Sequence, residues 1–532
     1  MTIFSPARRP IPRVCRRSAG RALQILLLLG AAILCLQVTD SAQTTHKTSR
    51  AKPAAAYKPA KKTTARAARS TASSRHSRQP TYATKTHQAA AARTWVARHT
   101  AQRLRSAGRS ADPATPAHSY AVTRIPYDAT AGPVAPTGSP FLYEHNLDPF
   151  FAALSAQQQH APDAPETIRV LQFGDSHTAA DIFSGAVRAA FQEHFGDGGL
   201  GFQFPGHPFA GYHLAGSTRS QTSGWSTQGN HFTDLGDGDL GLGGIGISTA
   251  RAGEAISLTT TCTTFQLEFL RQPGGGRLTF TDNGVDISDI DTDSQTDFAD
   301  AATSTRGPGT FTYACTPGPH NFVLTTLDAA PVRLLGLVTE QPGVTWECLG
   351  INGAVAPLML RWNQQIFSEY LRQRNPNLIV LAYGTNEAAE SASYNDDYVQ
   401  KFTHLLDLLH QYVPDAAILV LGPYDRATAH TVRVSRRRSR TYWETYAGTQ
   451  RIIADQEAAC RVHHCAYYNE QTRMGGPGAM LRWAAAGLAQ GDHTHLTGTG
   501  YRELAGALYD DLINAYKSYQ QTSTPAPAAS AP

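Results

Sequence analysis

The chain has 532 residues, with 47 Lys and Arg against 42 Asp and Glu and a net charge of +5. That length excludes a single small module, and the average charge describes no part of the chain. No acidic residue lies between Asp40 and Asp112, where sixteen Lys and Arg occur, whereas residues 113–532 hold 25 basic and 40 acidic side chains.

In chain order, the first element is an apolar run of fifteen residues, 22–36 (ALQILLLLGAAILCL), preceded by Arg8, Arg9, Arg13, Arg16, Arg17 and Arg21. A basic flank and a run this short resemble a secretory signal rather than a spanning helix, which needs about 20 residues. Residues 1–42 are therefore expected to direct export to the periplasm or cell envelope. The segment is either cleaved near Ser41-Ala42 or kept as an inner-membrane anchor through residues 22–38. Lipidation at Cys35 is disfavoured by bulky Leu34 beside it. Residues 43–140 are rich in Ala, Thr, Ser, Lys, Arg, His and Pro, and cannot bury enough apolar surface to offset their ordering entropy. A disordered linker is expected there, acting as a tether to anionic envelope surfaces or as a plain solvated spacer. Export argues against nucleic acid as a partner. The tail 521–532 has the same disordered composition.

Between these ends strands alternate with helices. ETIRVLQFG reads as a buried strand, and SGAVRAAFQEHFG as a helix in which Phe183, Val187, Phe191 and Phe195 recur every four residues and Gly196 is the stop. NLIVLAYG and AAILVLGPY are further strands, separated by the helical YVQKFTHLLDLLHQY. VAPLMLRWNQQIF, TYAGTQRIIADQEAACRV and GYRELAGALYDDLINAYKSY read as helices. This alternation implies βαβ units and a parallel sheet in an α/β domain, with its first part at 141–203 and its second at 346–520. Residues 204–345 break the rhythm: AISLTTTCTTFQLEFL, GRLTFTD, GTFTYAC and HNFVLTTL are short β-type runs that suggest an inserted sandwich. The insert either holds a glycan on aromatics such as Tyr212, Trp225 or Phe232, or simply walls a cleft. Past the signal there are Cys262, Cys315, Cys348, Cys460 and Cys465. An oxidising compartment would favour pairing Cys262 with Cys315 and Cys460 with Cys465. No CxxC or HExxH pattern calls for a metal.

VLQFGDSHT puts Ser176 just past the carboxyl end of a parallel strand, where open α/β sheets place their sites. A serine hydroxyl is a weak nucleophile until a base takes its proton, and a histidine base works best when a carboxylate orients it. GDHTHLTGTGY offers Asp492 and His495 three residues apart, with His493 a second candidate that spacing does not exclude. An acyl-transfer site also needs oxyanion donors. The turn in ECLGINGAV supplies the Gly353 N–H, and LAYGTNEA supplies the Asn386 amide at another strand end.

GDSH, the glycine of GINGA, GTNE and DHTH, in this order, resemble the four blocks of the SGNH (GDSL-like) hydrolases. The resemblance implies Ser176 as nucleophile and first oxyanion donor, Gly353 and Asn386 as the other donors, and Asp492 and His495 as the triad partners. FGDGGLGFQFP, FLRQPGGGRLTF, VLGPYDRA and RMGGPGAMLRWAAAGLAQGDHTHLTGTGY extend the likeness over about 145–518 to bacterial peptidoglycan O-acetylesterases. In that subgroup a jelly-roll domain resembling carbohydrate-binding modules interrupts a flavodoxin-like three-layer fold. Tyr424 departs from the pattern, where a second proline is expected, and so does the arginine-rich loop RVSRRRSR. The resemblance implies an exported serine esterase, without metal or organic cofactor, that removes O-acetyl groups from an envelope glycan. Peptidoglycan N-acetylmuramic acid is the expected substrate. Two other readings stay open: an O-acetyltransferase using the same triad, and a non-catalytic glycan-binding tether.

Overall fold

The computed structural model describes residues 138–230, 234–294, 305–389 and 397–523. The expected signal or anchor and nearly all of the basic segment lie outside these residues, as do residues 524–532. Among the described residues no helix is long and apolar enough to cross a membrane.

The α/β part begins with β1 (Phe141–Leu142), α1 (Asp148–Gln158), β2 (Thr167–Gly174), the one-turn α2 (Ser176–Ala179) and α3 (Phe183–Phe195). The chain then leaves for an insert whose described residues form nine strands. These are β3 (Gly199–Gln203), β4 (Thr218–Gln221), β5 (Ser226–Gln228), β6 (Gly246–Thr249), β7 (Ala255–Arg271), β8 (Arg277–Asp282), β9 (Val285–Asp291), β10 (Gly307–Thr326) and β11 (Val332–Glu340). It returns through β12 (Gly343–Gly350), α4 (Gln364–Arg374), β13 (Leu378–Ala382), α5 (Tyr398–Tyr412) and β14 (Ala417–Leu421). A hairpin, β15 (Ala427–Ser435) and β16 (Arg438–Thr445), precedes α6 (Ala447–Val462) and β17 (Ala466–Tyr468). Helices α7 (Glu470–Arg473), α8 (Ala479–Ala485) and α9 (Gly498–Ser523) end the fold.

The central sheet runs β1-β17-β14-β13-β2-β12, parallel except for β1 at its edge. Numbered by sequence, the parallel strands stand in the order 2-1-3-4-5, the flavodoxin-like arrangement, with its switch point between β2 and β13. This is an SGNH-type three-layer fold interrupted by a β domain. Both faces of β2 are covered, so every residue of the strand except half-buried Arg169 is buried. Val170 joins the layer of α1, α3 and α9, and Leu171 and Phe173 join that of α4, α5 and α6. Gln172 is tolerated in this buried strand because it accepts from Trp346 Nε1 at 2.7 Å and donates to Thr178 Oγ1 at 3.2 Å. In α3, Phe191 packs on Trp346 with ring centroids 5.1 Å apart. Truncating so buried a ring costs about 3–5 kcal/mol. Gly196, at φ 96°, ends that helix where the sequence expected it.

The insert is antiparallel, and its nine strands form one hydrogen-bonded network rather than two separate sheets. The reason is the length of β7 and β10, 17 and 20 residues, which run through the whole insert. GTFTYAC and HNFVLTTL are thus parts of one strand, with a bulge between Ala314 and Gly318. The first strand of this network, β3, lies before residue 204, and pairs with β11. Buried charges lock the insert to the α/β layer: Arg374 bonds Glu347, and Glu340 at 2.7 Å, while Glu340 also takes Arg169 at 2.9 Å.

Several local expectations change. VAPLMLRWNQQIF is not one helix: residues Ala356–Arg361 form a 3-10 turn, Trp362 is extended, and Asn363 caps α4 by accepting from Gln365 and Ile366 N–H. The loop RVSRRRSR is part of the β15–β16 hairpin. Tyr212 and Trp225 are buried and so offer no glycan platform, while Phe232 lies outside the described residues. Neither expected disulfide is closed; the five cysteines among the described residues are thiols. The Cys262 and Cys315 sulfurs nevertheless face each other at 3.7 Å.

Candidate active site

Three strand ends converge at the switch point. Gly174 lies in register with Gly350 of β12 on one side and with Ala382 of β13 on the other. Ser176 follows two residues later, Gly353 three residues after Gly350, and Asn386 four residues after Ala382. Glycine is required at 174 and 350 because α2 sits directly on both strands: a Cβ at Gly174 would strike Thr178, and one at Gly350 would strike the Ala179 backbone. Asp175 is the N-cap of α2, accepting from His177 N–H at 2.9 Å. Burial pushes the Asp175 carboxyl up to about 7, against the opposing pull of that N–H, of His495 and of the Thr385 hydroxyl.

Ser176 Oγ lies 2.9 Å from His495 Nε2, and His495 Nδ1 lies 2.7 Å from Asp492 Oδ2. The other Asp492 oxygen accepts from the Thr494 and His495 N–H groups at 3.1 and 3.0 Å, so the carboxylate is held by its own turn. Partial burial acts to raise Asp492, but these hydrogen bonds, led by that from the His495 ring, outweigh it and hold the carboxyl below its usual value. His493 turns away: it is buried, has φ 52°, bonds Gly491 O through Nδ1 at 2.9 Å, and carries Trp443 on its ring. The geometry therefore separates the two histidines that spacing left open.

Among the described residues no group accepts from the Ser176 N–H, which lies in the first turn of α2, nor from the Gly353 N–H, at a residue with φ 74°. Asn386 donates to Ala354 O at 2.8 Å, so its amide is fixed by the glycine block. That bond uses one of two amide hydrogens and leaves the other to donate.

Sequence reasoning missed the groups that hold these turns. Glu387 is fully buried and accepts from Ala356 N–H at 2.8 Å and Gly384 N–H at 3.0 Å, bridging the loops after β12 and β13. Burial pushes it up to about 8 despite those donors. It stands beside Asn386 in the quoted block, but nothing local shows that its partners come from a distant segment. His177 is likewise buried; its Nδ1 meets Tyr501 OH at 2.8 Å, and its ring lies 5.0 Å from that of His495. Burial, aided by the neighbouring His495 charge, lowers it to about 3, so it adds no cation beside the base. Arg188 and Asp181 form a buried pair at 2.7 Å just after α2, and Asp181 also accepts from Ala215 N–H of the insert at 3.1 Å. Among the described residues no three His, Cys, Asp or Glu converge as metal ligands.

A hydroxyl against an imidazole, an imidazole against a carboxylate and open N–H donors at the same sheet edge make an arrangement able to activate a nucleophile and hold an oxyanion. Comparison with known proteins agrees with this chemistry. Residues 310–503 match the model of the GDSL-like lipase/acylhydrolase family, a span that includes Gly353, Asn386, Asp492 and His495 but not Ser176. The structure is similar to one described as a peptidoglycan O-acetylesterase in action, with 25% identity and a TM-score of 0.57, covering 70% of this chain and 96% of that one. It also matches a family two carbohydrate esterase from Clostridium thermocellum, with 12% identity and a TM-score of 0.25, over 56% of this chain and 100% of that one. No curated protein matches the chain. The family match and the first of these structures support the SGNH hydrolase resemblance, and with it an esterase.

Proposed function

We propose that the chain is an exported serine esterase that removes O-acetyl groups from a cell-envelope glycan, with peptidoglycan as the substrate. The observation that carries the reading is the unbroken chain from Ser176 Oγ through His495 to Asp492, at 2.9 and 2.7 Å. His495 Nε2 takes the Ser176 proton as the hydroxyl oxygen attacks the acetyl carbonyl. The resulting oxyanion rests on the Ser176 and Gly353 N–H groups and the free Asn386 amide hydrogen. His495, now protonated and paired with Asp492, gives its proton to the departing sugar oxygen. Water then attacks the acetyl-serine with His495 again as base, releasing acetate and restoring the hydroxyl. The likeness to a peptidoglycan O-acetylesterase supports the choice of glycan.

The test is acetate release from native O-acetylated peptidoglycan, with mass spectrometry for an acetyl group on Ser176. Acetyl-Ser176 that transfers to added sugar in preference to water would make the protein an O-acetyltransferase. No adduct and no acetate, with binding to the glycan intact, would leave the non-catalytic tether. Export through residues 1–42 belongs to the same proposal, and is tested by fractionating cells and sequencing the amino terminus of the mature chain.

A further inference from the structure

The β15–β16 hairpin has no role in the chemistry above, yet it is rooted between the two loops that carry it. Ala427 N–H donates to His493 O at 3.1 Å, the Trp443 ring lies on His493 at 3.6 Å, and Arg426 donates to Thr385 O at 3.3 Å. Asp492 and Asn386 are the immediate neighbours of His493 and Thr385. From this root residues 429–441 are exposed without a break, on both faces of the ribbon. An isolated two-stranded ribbon is at best marginally stable on its own, so this one costs ordering without adding core. At about 3.3 Å per residue, its strands carry the turn roughly 25 Å from the root.

Its chemistry is one-sided. Arg433, Arg436, Arg437, Arg438 and Arg440 crowd the outer half, and no Asp or Glu occurs between Asp425 and Glu444. Among the described residues none of the five forms an ion pair. Arg440 stands opposite exposed Val432, and the next pair on that face toward the root is His430 and Tyr442, stacked at 5.6 Å. Arg433, opposite Ser439, emerges on the other face and donates to the Ser435 and Arg436 carbonyls at 3.3 and 2.9 Å, so its guanidinium lies beside the turn. The hairpin is thus a ridge with an aromatic pair near the site, an apolar step, and guanidinium groups on both faces and at the tip. Guanidinium forks match carboxylates with two parallel hydrogen bonds. Charges distributed around a narrow ribbon suit a flexible strand that can lie along it, whereas a flat anionic surface would meet only the tip.

We propose that this hairpin binds a carboxylate-bearing glycan strand and guides it past Ser176, its arginines holding acidic groups on the sugars that flank the acetyl ester. The proposal rests on the esterase reading and adds that the polymer is anionic.

The test compares the full chain with R436Q/R437Q/R438Q/R440Q on 4-nitrophenyl acetate, on neutral acetylated xylan and on O-acetylated peptidoglycan fragments. The quadruple variant is expected to melt at the wild-type temperature and to keep wild-type kinetics on the first two substrates. On the acidic fragments its KM should rise roughly 10-fold at low salt, about 1.4 kcal/mol. That gap should close toward about 0.3 M salt as the charges are screened. The basic amino-terminal segment is common to both forms and cancels. Equal KM values on the acidic fragments, or an equal loss on xylan, would overturn the proposal. A wild-type chain that cleaves the small ester but no acidic glycan would sink the peptidoglycan reading instead. The hairpin is then judged by sedimentation of the Ser176→Ala chain with deacetylated peptidoglycan, where no effect of the four arginines overturns the proposal. Arginine-dependent binding to vesicles containing about 30% anionic lipid, without arginine-dependent binding to the glycan, would assign the ridge to a membrane and overturn it too.

Discussion

Trp443 lies with its ring centroid 3.6 Å from that of His493, and this contact divides the labour between the two histidines of the DHTH block. His493 is a buried anchor for the hairpin, while His495, two residues on, reaches Ser176.

Ser176→Ala and His495→Ala are each expected to abolish acetate release from an activated ester, with far-ultraviolet circular dichroism and melting close to wild type. His493→Ala should keep most of that activity and melt earlier, because it removes the stacking surface of Trp443 and its own bond to Gly491 O. Stopped turnover in His493→Ala with retained turnover in His495→Ala would reverse the assignment. Asp492→Asn should retain part of the activity, since its side-chain oxygen can still accept from the backbone of the same turn.

A pH prediction follows from Glu387, whose carboxyl burial pushes from its ordinary 4.5 up to about 8. Between these values the native state holds a proton that the unfolded chain has released. Its contribution is therefore fully present below pH 4.5 and is lost as pH rises toward 8. Glu387→Gln cannot titrate, so its melting temperature should fall less between pH 5 and 8 than that of the wild type. Parallel melting curves across that window would show that Glu387 is already ionised in the fold, held by the Ala356 and Gly384 N–H groups.

The thiols of Cys262 and Cys315 stand 3.7 Å apart on neighbouring strands, across the bulge in β10. Mild oxidation, with the added oxidant taking two electrons, should join them with the loss of two hydrogen atoms by mass, and raise the melting temperature reversibly on return to reductant. Closing a loop of this length is worth about 2–4 kcal/mol. Cys262→Ser should melt alike with and without reductant. A persistent oxidation shift in that variant would point to the other cysteines.

Much of this was legible because the decisive signals were local. ETIRVLQFG is bounded by its own turn residues, and YVQKFTHLLDLLHQY carries its helical period within itself; both match the observed elements. Four blocks in order, each at a strand end or before a helix, brought Ser176, Gly353, Asn386, Asp492 and His495 to one edge of the sheet. What escaped depended on distant partners or lacked periodicity. A ribbon exposed on both faces has no apolar side, so RVSRRRSR gave no strand pattern. The apolar run VAPLML before Arg361 hid the break that the capping residue Asn363 marks. Tyr212 and Trp225 lie in Gly-rich stretches where nothing local distinguishes a core ring from a platform, and the core claimed both.

Asn386 offers the sharpest test of mechanism, because its amide has two duties. One hydrogen donates to Ala354 O at 2.8 Å, which is structural, and the other is assigned to the oxyanion. The structural bond is worth about 1 kcal/mol and should appear as a modest fall in melting temperature in Asn386→Ala. The oxyanion bond strengthens only as charge develops, so its loss should lower kcat by roughly 10²–10³, with little change in KM. Asn386→Asp removes the same donor and adds a negative charge facing both the oxyanion and the Ala354 carbonyl. It should therefore be at least as slow as the Ala variant and no more stable. A boronic acid that forms a tetrahedral adduct on Ser176 separates the two duties: its affinity should fall in parallel with kcat/KM in both variants. If the affinity of the boronate held while kcat fell, Asn386 would act on the loop alone. Near-full activity in Asn386→Asp would remove it from the oxyanion hole altogether, leaving the Ser176 and Gly353 N–H groups as its only donors.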